Sequence, residues 1–552
     1  MVSHSAPRQG SSRWRVPWLT ARVHWDAFQL DPLGYAQAIG WRIRGLRLRS
    51  RNRMAALTGR SPHAYKLWVA RHEPDAPGTR RPAGMPSQVP VRPIVDCRSG
   101  VDGLERTLRS LTLAGAELEP ILIGGPPKAG AICIGSPDEL ARVIDAQASW
   151  LCPILPGDEL APAALTTYAA AAANEPSARI LYADDDLIDP QGRRQQPHFK
   201  PDWNPELFEH HDFLTNAAAV RVTREQLPDL DRPDWAAALV RAAIARGSTP
   251  IHLPYVLHHR RTRPEPCVPQ KPANLSLAEA PTVTAIVPTR NRAGLLRNCI
   301  EGLKRTAYAK LDVIIVDNES DEEETLAYLR ELEREGFAVL RIPGPFNYSA
   351  LNNRAVKHAT GELLCFLNND VEMMDPDWLT MLVLWAREPE FGAVGARLLY
   401  PDGTVQHAGV FTGIGGGAAH AHRFERPDEP GYFFRSRLPQ RVTAVTAACM
   451  VVAKEKFLAV GGFDEAEFPV AFNDVDLCLK LNARGWQSFY EPRATLIHYE
   501  SKSRGLDRAK PNRARFAGEL AALKRKWHTD LQRDPYHHPH LSPFCEQFRV
   551  SI

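Results

Sequence analysis

Four short polar clusters stand in the second half of the chain: Pro288-Thr289-Arg290-Asn291-Arg292, Asp317-Asn318-Glu319-Ser320, Asn368-Asn369-Asp370 and Asn473-Asp474-Val475-Asp476. A histidine, His498, follows further on. Asp370 offers the oxygen ligand that a hard divalent cation wants. Asp474 and Asp476 together exceed what one helix cap needs, which leaves a carboxylate for proton transfer. Arg290 and neighbouring backbone N–H groups can meet a diphosphate, and Asp317 can hydrogen-bond a base or ribose. An imidazole such as His498 suits a metal-diphosphate site, although a lone histidine is more often structural. Asn and Asp also end strands and cap helices for local reasons, so each cluster by itself is ordinary turn chemistry.

The surrounding pattern puts these clusters at element ends. Val283 to Val287 is a β-branched run that stops on the first cluster, and a helix follows with Leu295, Leu296, Cys299, Ile300 and Leu303 on its apolar face. Val313 to Val316 is a second strand ending on Asp317, a charged helix runs from Glu322 to Arg334, and Val339 to Ile342 makes a third strand. Leu363 to Leu367, between Gly361 and Asp375-Pro376, reads as a buried strand, as does Val442 to Ala453. Asn473 to Asp476 opens an amphipathic helix, and Ala494 to Ile497 is a strand ending on His498. In a doubly wound α/β sheet, strand ends converge on one crevice. Gly413 to Gly417, with His420 and His422, reads equally as a loop that closes over an acceptor and as a plain surface loop.

The same order of elements occurs earlier in the chain. Pro93 to Asp96, the helix Leu104 to Leu113, Pro120 to Ile123, Ile132 to Ile134 and Trp150 to Leu155 repeat it, which indicates a tandem duplication. Two acidic clusters of this half, Asp158-Glu159 and Asp184-Asp185-Asp186, are placed at strand ends; they could bind a cation together, but without a phosphate loop such clusters are more often solvated or structural. Prolines 264, 266, 269, 272 and 281 mark a linker. The division expected is a basic adaptor over 1–72, a degenerate domain over 88–262, a linker over 263–280, a catalytic domain over 281–505 and a helical extension with a tail over 506–552.

At 552 residues and 44% hydrophobic content the chain holds two or three folded domains. A charge of +4 from 68 basic and 64 acidic residues, with no aromatic-plus-basic motif, excludes a general nucleic-acid binder. The nine cysteines show no zinc or redox spacing and no secretory signal precedes them, so a cytoplasmic protein with reduced thiols is expected and Asn274-Leu275-Ser276 is a chance sequon. No apolar run approaches the ~20 residues that span a bilayer. Arg42, Arg44, Arg47, Arg49, Arg51 and Arg53 alternate with Trp41, Ile43, Leu46 and Leu48, which fits either a solvated basic segment or peripheral contact with the inner face of the plasma membrane. No G-x-G-x-x-G follows either strand and no Walker sequence is present, against a dinucleotide cofactor and ATP hydrolysis.

The joint pattern from Pro281 to Gly505 resembles a family 2 glycosyltransferase of the GT-A fold. The matching pieces are Ala285 to Arg292 (AIVPTRNR), Ile314 to Ser320 (IIVDNES), Phe346 to Asn353 (FNYSALNN), Gly361 to Glu372 (GELLCFLNNDVE), Pro401 to Gly409 (PDGTVQHAG), Phe472 to Leu481 (FNDVDLCLKL) and His498 to Gly505 (HYESKSRG). The resemblance implies an α/β fold with a mixed, mostly parallel sheet and flanking helices, preceded by a degenerate copy. It implies that Pro288, Thr289, Arg290, Asn291, Asp317, Asn318, Asn352, Asn368 and Asn369 hold the nucleotide sugar, that Asp370 and His498 hold Mg²⁺ or Mn²⁺, and that Asp474 is the general base. Asn368 departs from the family's D-x-D motif, which places an acid there; the amide can still bond a ribose hydroxyl but lowers the negative charge of the site. More faintly, Leu181 to Asp189, Gly192 and Phe199 to Pro205 (FKPDWNP) resemble the first half of large bacterial two-domain members that build surface polysaccharides.

The implied reaction is inverting transfer from a nucleoside diphosphate sugar to a hydroxyl of a saccharide or lipid-linked acceptor. Two rivals remain: a non-catalytic carbohydrate-binding or scaffolding protein, against which Asp370 and Asp474 both speak, and a nucleotidyltransferase, which needs more than one carboxylate on its metals.

Overall fold

The structure is a computed structural model that describes residues 12–73, 89–135, 137–144, 148–227, 229, 232–272, 277, 279–499 and 512–552. The motif segment from Glu500 to Gly505 and the Asn274 sequon lie outside the described residues.

Two large sheets follow one another along the chain. The first has the strand order Ile132–Ile134, Ile121–Ile123, Val91–Asp96, Ser149–Ile154, Ala218–Val222, Ile180–Ile188, Ile251–Arg260, Glu159–Leu160. The second has the order Ala338–Arg341, Leu311–Asp317, Val283–Thr289, Leu363–Leu367, Cys449–Ala453, Phe391–Leu399, Gln487–His498, Val371–Met373. The two orders match strand for strand and in direction: the first four strands run parallel and the fifth enters antiparallel in both. This is the repeat that the sequence order implied. Antiparallel pairing is nevertheless more frequent than a βαβ succession alone produces, because strands such as Cys449–Ala453 return to the sheet without a crossover helix.

The centre of the second sheet explains its sequence. All five side chains of Leu363–Leu367 are buried, the three leucines and Phe366 each worth about 1.5–3 kcal/mol of burial. Gly361 just before it is required, since a Cβ there would lie 2.5 Å from the Thr284 backbone nitrogen. The helix Ala293–Lys304 buries Leu296, Cys299, Ile300 and Leu303 against the sheet, the face expected from their spacing. Two strands extend beyond their β-branched runs: Val283–Thr289 includes Pro288 and Thr289, and Ile180–Ile188 carries Asp184, Asp185 and Asp186 inside the strand rather than past its end. The segment 442–453 is not one strand; Gln440–Val442 and Cys449–Ala453 are separated by a turn.

One core cluster spans both halves. Tyr65, Trp68, Phe199 and Val256 pack in the same cluster as Val410, Phe411, Tyr536 and Phe548. Arg441 is paired with Glu206 at 2.7 Å, and the Tyr432 hydroxyl bonds the Phe199 backbone. The start of the expected linker is fastened to the first half: Arg263 pairs with buried Asp185, and the Cys267 N–H donates to the His210 carbonyl at 2.7 Å. The N-terminal region is helical, as Ser12–Leu30, Pro32–Ile43, Arg47–Thr58 and Ala64–His72. At the other end the helix Arg513–Trp527 and the residues after it pack over both halves, with Arg533 2.5 Å from Asp202 and Asp534 accepting from Thr443 at 2.6 Å. The glycine loop 413–417 lies beneath this segment, where the Gly415 N–H donates to the Pro543 carbonyl at 2.8 Å. All nine cysteines are free, and no helix among the described residues is long and apolar enough to cross a membrane.

Candidate active site

The strands Val283–Thr289, Leu311–Asp317 and Leu363–Leu367 are adjacent and parallel, so the polar residues at their carboxyl ends meet. Thr289 sits opposite Asp317 in the register, and the Asn369 side-chain amide donates to Thr289 Oγ1 at 2.9 Å. Asp317 is buried and accepts the Ser320 N–H at 3.1 Å. Asn318 ties the next loop in place by donating to the Ile342 and Gly344 carbonyls, both at 3.0 Å. Asn291 spends its amide on the facing loop, donating to Asp321 at 2.7 Å and accepting the Asp321 N–H at 2.9 Å. Pro288 is buried at the strand end and Arg290 is exposed at the rim. Asn352, fully buried on the helix Tyr348–Val356, donates to the Tyr348 carbonyl at 2.8 Å.

Asp370 and His498 face each other, His498 Nε2 standing 3.1 Å from Asp370 Oδ1. The edge pairing of Val371 with His498 brings them together. Gln406 decides which imidazole nitrogen carries the proton. Its Nε2 donates to the His498 carbonyl at 3.3 Å, which turns its Oε1 toward His498 Nδ1 at 2.7 Å. Nδ1 is therefore the donor, and the lone pair of neutral His498 is on Nε2, where the Asn368 amide also approaches at 3.3 Å. A carboxylate oxygen and an imidazole lone pair at this distance repel unless a proton or a cation lies between them. This is the donor set a divalent cation uses, with the outer nitrogen held by a hydrogen-bonded partner.

Asp474 lies on the first turn of the helix Asn473–Ala483. Its oxygens accept the Val475 N–H at 2.9 Å and the Ala447 N–H at 3.2 Å. Burial pushes its carboxyl above the usual aspartate value, opposed by those N–H groups and by Thr446. The turn around Ala447 joins the parts of the site: the Tyr348 hydroxyl donates to the Ala447 carbonyl at 2.9 Å and the Asn368 N–H to the Ala448 carbonyl at 3.0 Å. Asp476 is different. It is fully buried, lies 2.8 Å from Lys526 and 3.2 Å from Lys480, and accepts the Trp527 indole N–H at 2.8 Å, so it fastens the C-terminal helix. Of the two carboxylates, Asp476 is the one tied to lysines, while Asp474 is held by backbone N–H groups.

Sequence reasoning assigned nothing to Gln406 or to the Thr446–Ala448 turn. Gln406 stood inside PDGTVQHAG, but its partner is 92 residues away. Next to it, His407 and His420 face each other, Nδ1 to Nδ1 at 2.7 Å; burial pushes the His420 imidazole down to about 3 and lowers His407 as well, so the pair is neutral near pH 7. His422 is buried against Glu425 at 2.9 Å.

In the first sheet the equivalent positions are taken apart. Glu159 pairs with His259 as Val371 pairs with His498, so Asp158 and His259 occupy the places of Asp370 and His498. There His259 Nδ1 turns to Asp186 at 2.7 Å, while Asp158 accepts the Arg261 N–H at 2.8 Å. The helix Trp235–Ala245, which corresponds to Asn473–Ala483, has Ala236 where the other has Asp474. The Trp235 indole fills the crevice and donates to Asp96 at 2.8 Å. Each of the three consecutive aspartates has a basic side chain against it: Asp185 lies 2.7 Å from Lys200, Asp186 2.5 Å from Arg194, and Asp184 2.9 Å from His252 and 2.8 Å from His538. For Asp184, burial would raise the carboxyl, but the two imidazoles outweigh it and hold it low. His538 accepts the His540 N–H on Nδ1 at 3.0 Å, so its Nε2 bears the proton and meets Asp184 as a hydrogen-bond donor rather than as a metal ligand.

Residues 284–454 match the family model described as glycosyl transferase family 2. A Sinorhizobium fredii protein designated "Uncharacterized protein y4gI" is 37% identical over 442 residues, 71% of this chain and 48% of that protein. The O-antigen biosynthesis protein RfbC of Myxococcus xanthus is 36% identical over 429 residues, covering 70% of this chain and 33% of that protein. The chain thus spans half or less of the length of these relatives. Among solved structures, a mannosyltransferase of Pyrobaculum calidifontis in complex with GDP-Man and Mn²⁺ aligns over 49% of this chain and 71% of its own, at 21% identity and a TM-score of 0.35, too slight a likeness to bear on mechanism.

Proposed function

We propose that this chain, whose residues 284–454 match the glycosyl transferase family 2 model, moves a hexosyl or deoxyhexosyl group from a nucleoside diphosphate sugar to a hydroxyl of a saccharide or lipid-linked acceptor, with inversion. The observation that carries this reading is the pairing of Asp370 with a His498 whose lone pair is set by Gln406, in one crevice with an Asp474 of raised basicity. Thr289, Asp317 and Asn318 line the strand ends where a base and ribose are met, and Arg290 with nearby N–H groups faces the diphosphate. Asp370 and His498 would hold the Mg²⁺ or Mn²⁺, which would supply positive charge to stabilise the departing diphosphate. Asp474 takes the acceptor hydroxyl proton as the new bond to the anomeric carbon forms and the bond from that carbon to the diphosphate oxygen breaks. The first sheet is read as a degenerate copy that supports the second. The name of the Myxococcus xanthus relative favours synthesis of a cell-surface polysaccharide, such as O-antigen or capsule, as the setting. The purified chain incubated with a panel of nucleotide sugars should release nucleoside diphosphate from one of them. Release of pyrophosphate instead identifies a nucleotidyltransferase, and release of neither a scaffold.

A further inference from the structure

We infer that the two N-terminal helices Ser12–Leu30 and Pro32–Ile43, with the basic stretch that follows them, form a docking surface for an anionic lipid bilayer. Between residues 18 and 48 lie nine large hydrophobic side chains that face solvent, half of all those so exposed among the described residues. Their placement is ordered. On Pro32–Ile43, with 100° per residue, Leu33, Ile39 and Ile43 fall on one side and the buried Gly34 and Ala38 on the other. On Ser12–Leu30, Trp18, Trp25 and Phe28 share the outward side while Leu19, Val23 and Ala27 are buried. Both helices therefore turn an apolar face to water, the reverse of the usual arrangement, and such a patch marks an interaction surface. The patch is continuous from one helix to the next, with ring centroids of Trp25 and Phe28 5.9 Å apart and those of Phe28 and Tyr35 also 5.9 Å apart.

Charge selects the occupant. Residues 15–60 contain nine arginines and two acidic residues, an excess of seven positive charges on a chain whose net charge is +4. The two acids are already engaged, Asp26 by Arg22 and His63 and Asp31 by Arg53. Arg42, Arg47 and Arg51, with Ser50, line a depression of about 580 Å³, and a neighbouring one of about 370 Å³ has Ile39 beside Arg42 in its wall. Guanidinium groups that bind phosphate, set next to apolar and aromatic side chains, match the headgroup and acyl boundary of an anionic leaflet. A protein partner would need a mixed or acidic apolar surface, and nothing among these helices calls for one. Binding at this surface is independent of the transferase reading; if both hold, the crevice works at the surface where a lipid-linked acceptor resides.

The test is co-sedimentation of the full chain with phosphatidylcholine vesicles, with and without phosphatidylglycerol. The chain should bind the anionic vesicles, release as salt is raised, and leave neutral vesicles largely unbound. Replacing Arg42, Arg44, Arg47 and Arg49 by Gln should weaken binding about fivefold per arginine. Leu33→Glu with Ile43→Glu should abolish it at an unchanged melting temperature, since both side chains are exposed. Failure of the parent chain to bind anionic vesicles at low salt overturns the proposal, as does undiminished binding by the Leu33→Glu, Ile43→Glu pair. Self-association of the parent chain that this pair abolishes, without vesicle binding, assigns the surface to a second copy and overturns it equally.

Discussion

His498 presents Nε2 to Asp370 Oδ1 across 3.1 Å while Gln406 holds the opposite ring nitrogen at 2.7 Å. Removing that acceptor frees the ring to rotate and to change tautomer. Gln406→Met should therefore weaken Mn²⁺ affinity about 10- to 100-fold, as loss of such a supporting partner does, while Gln406→Glu, which still accepts the Nδ1 proton, should preserve it. Titration calorimetry with Mn²⁺ checks this, and Asp370→Ala serves as the control that locates the ion. If Gln406→Met binds the ion like the parent while Asp370→Ala does not, the tautomer argument fails.

Asp158 stands where Asp370 stands in the other sheet, but burial pushes its carboxyl up to about 6. A folded-state value above the unfolded one means a contribution that is present at low pH and lost as pH rises through about 6. Asp158→Asn keeps the acceptor for the Arg261 N–H and removes the buried charge. The variant should match the parent near pH 4 and exceed it by roughly 1–3 kcal/mol at pH 7.5. Urea unfolding at the two pH values measures the difference, and a destabilised variant at pH 7.5 would mean that Asp158 has a partner of its own.

The shared core makes the halves interdependent. A fragment of residues 277–552 exposes Tyr432 and Phe433, which now pack against His198, Tyr432 also bonding the Phe199 backbone. It should unfold at lower denaturant than the full chain, and equal midpoints would show that the contact adds nothing to stability.

The elevated carboxyl of Asp474 sets the acid limb of the rate profile. A general base works only when deprotonated, so turnover should fall as pH is lowered through a value above that of an ordinary aspartate, about 3.9. The limb should vanish in Asp474→Asn; its survival there would assign it to another group.

Much of this was legible in the sequence, for definite reasons. Strands such as Leu363–Leu367 and helices such as Leu104–Leu113 and Ala293–Lys304 carry unbroken local patterns, and the strand-end clusters follow from them. The repeat was readable because both halves keep the same order of elements. What was not legible depends on long-range contact. Apart from the family resemblance, nothing local told Asp476 from Asp474; the contacts that do, with Lys526 and Trp527, lie about fifty residues on. Asp184, Asp185 and Asp186 looked like a strand-end loop, since three consecutive carboxylates inside a buried strand are tolerable only with cations such as Lys200, Arg194 and Arg263 brought from elsewhere. The anchors of Arg263 and Cys267 at the start of the proline-rich linker, Asp185 and His210, were not legible because they are remote in the chain.

The central claim is that Asp474 moves the proton while Asp370 holds the ion. Nucleoside diphosphate affinity with and without Mn²⁺, measured beside turnover for Asp474→Asn and Asp370→Asn, tests it. Asp474→Asn should lose about 10² to 10⁴ in turnover with nucleotide and metal binding nearly unchanged. Asp370→Asn should lose the Mn²⁺-dependent part of nucleotide affinity along with turnover. Full transfer by Asp474→Asn, or parental Mn²⁺-dependent binding by Asp370→Asn, would contradict the assignment.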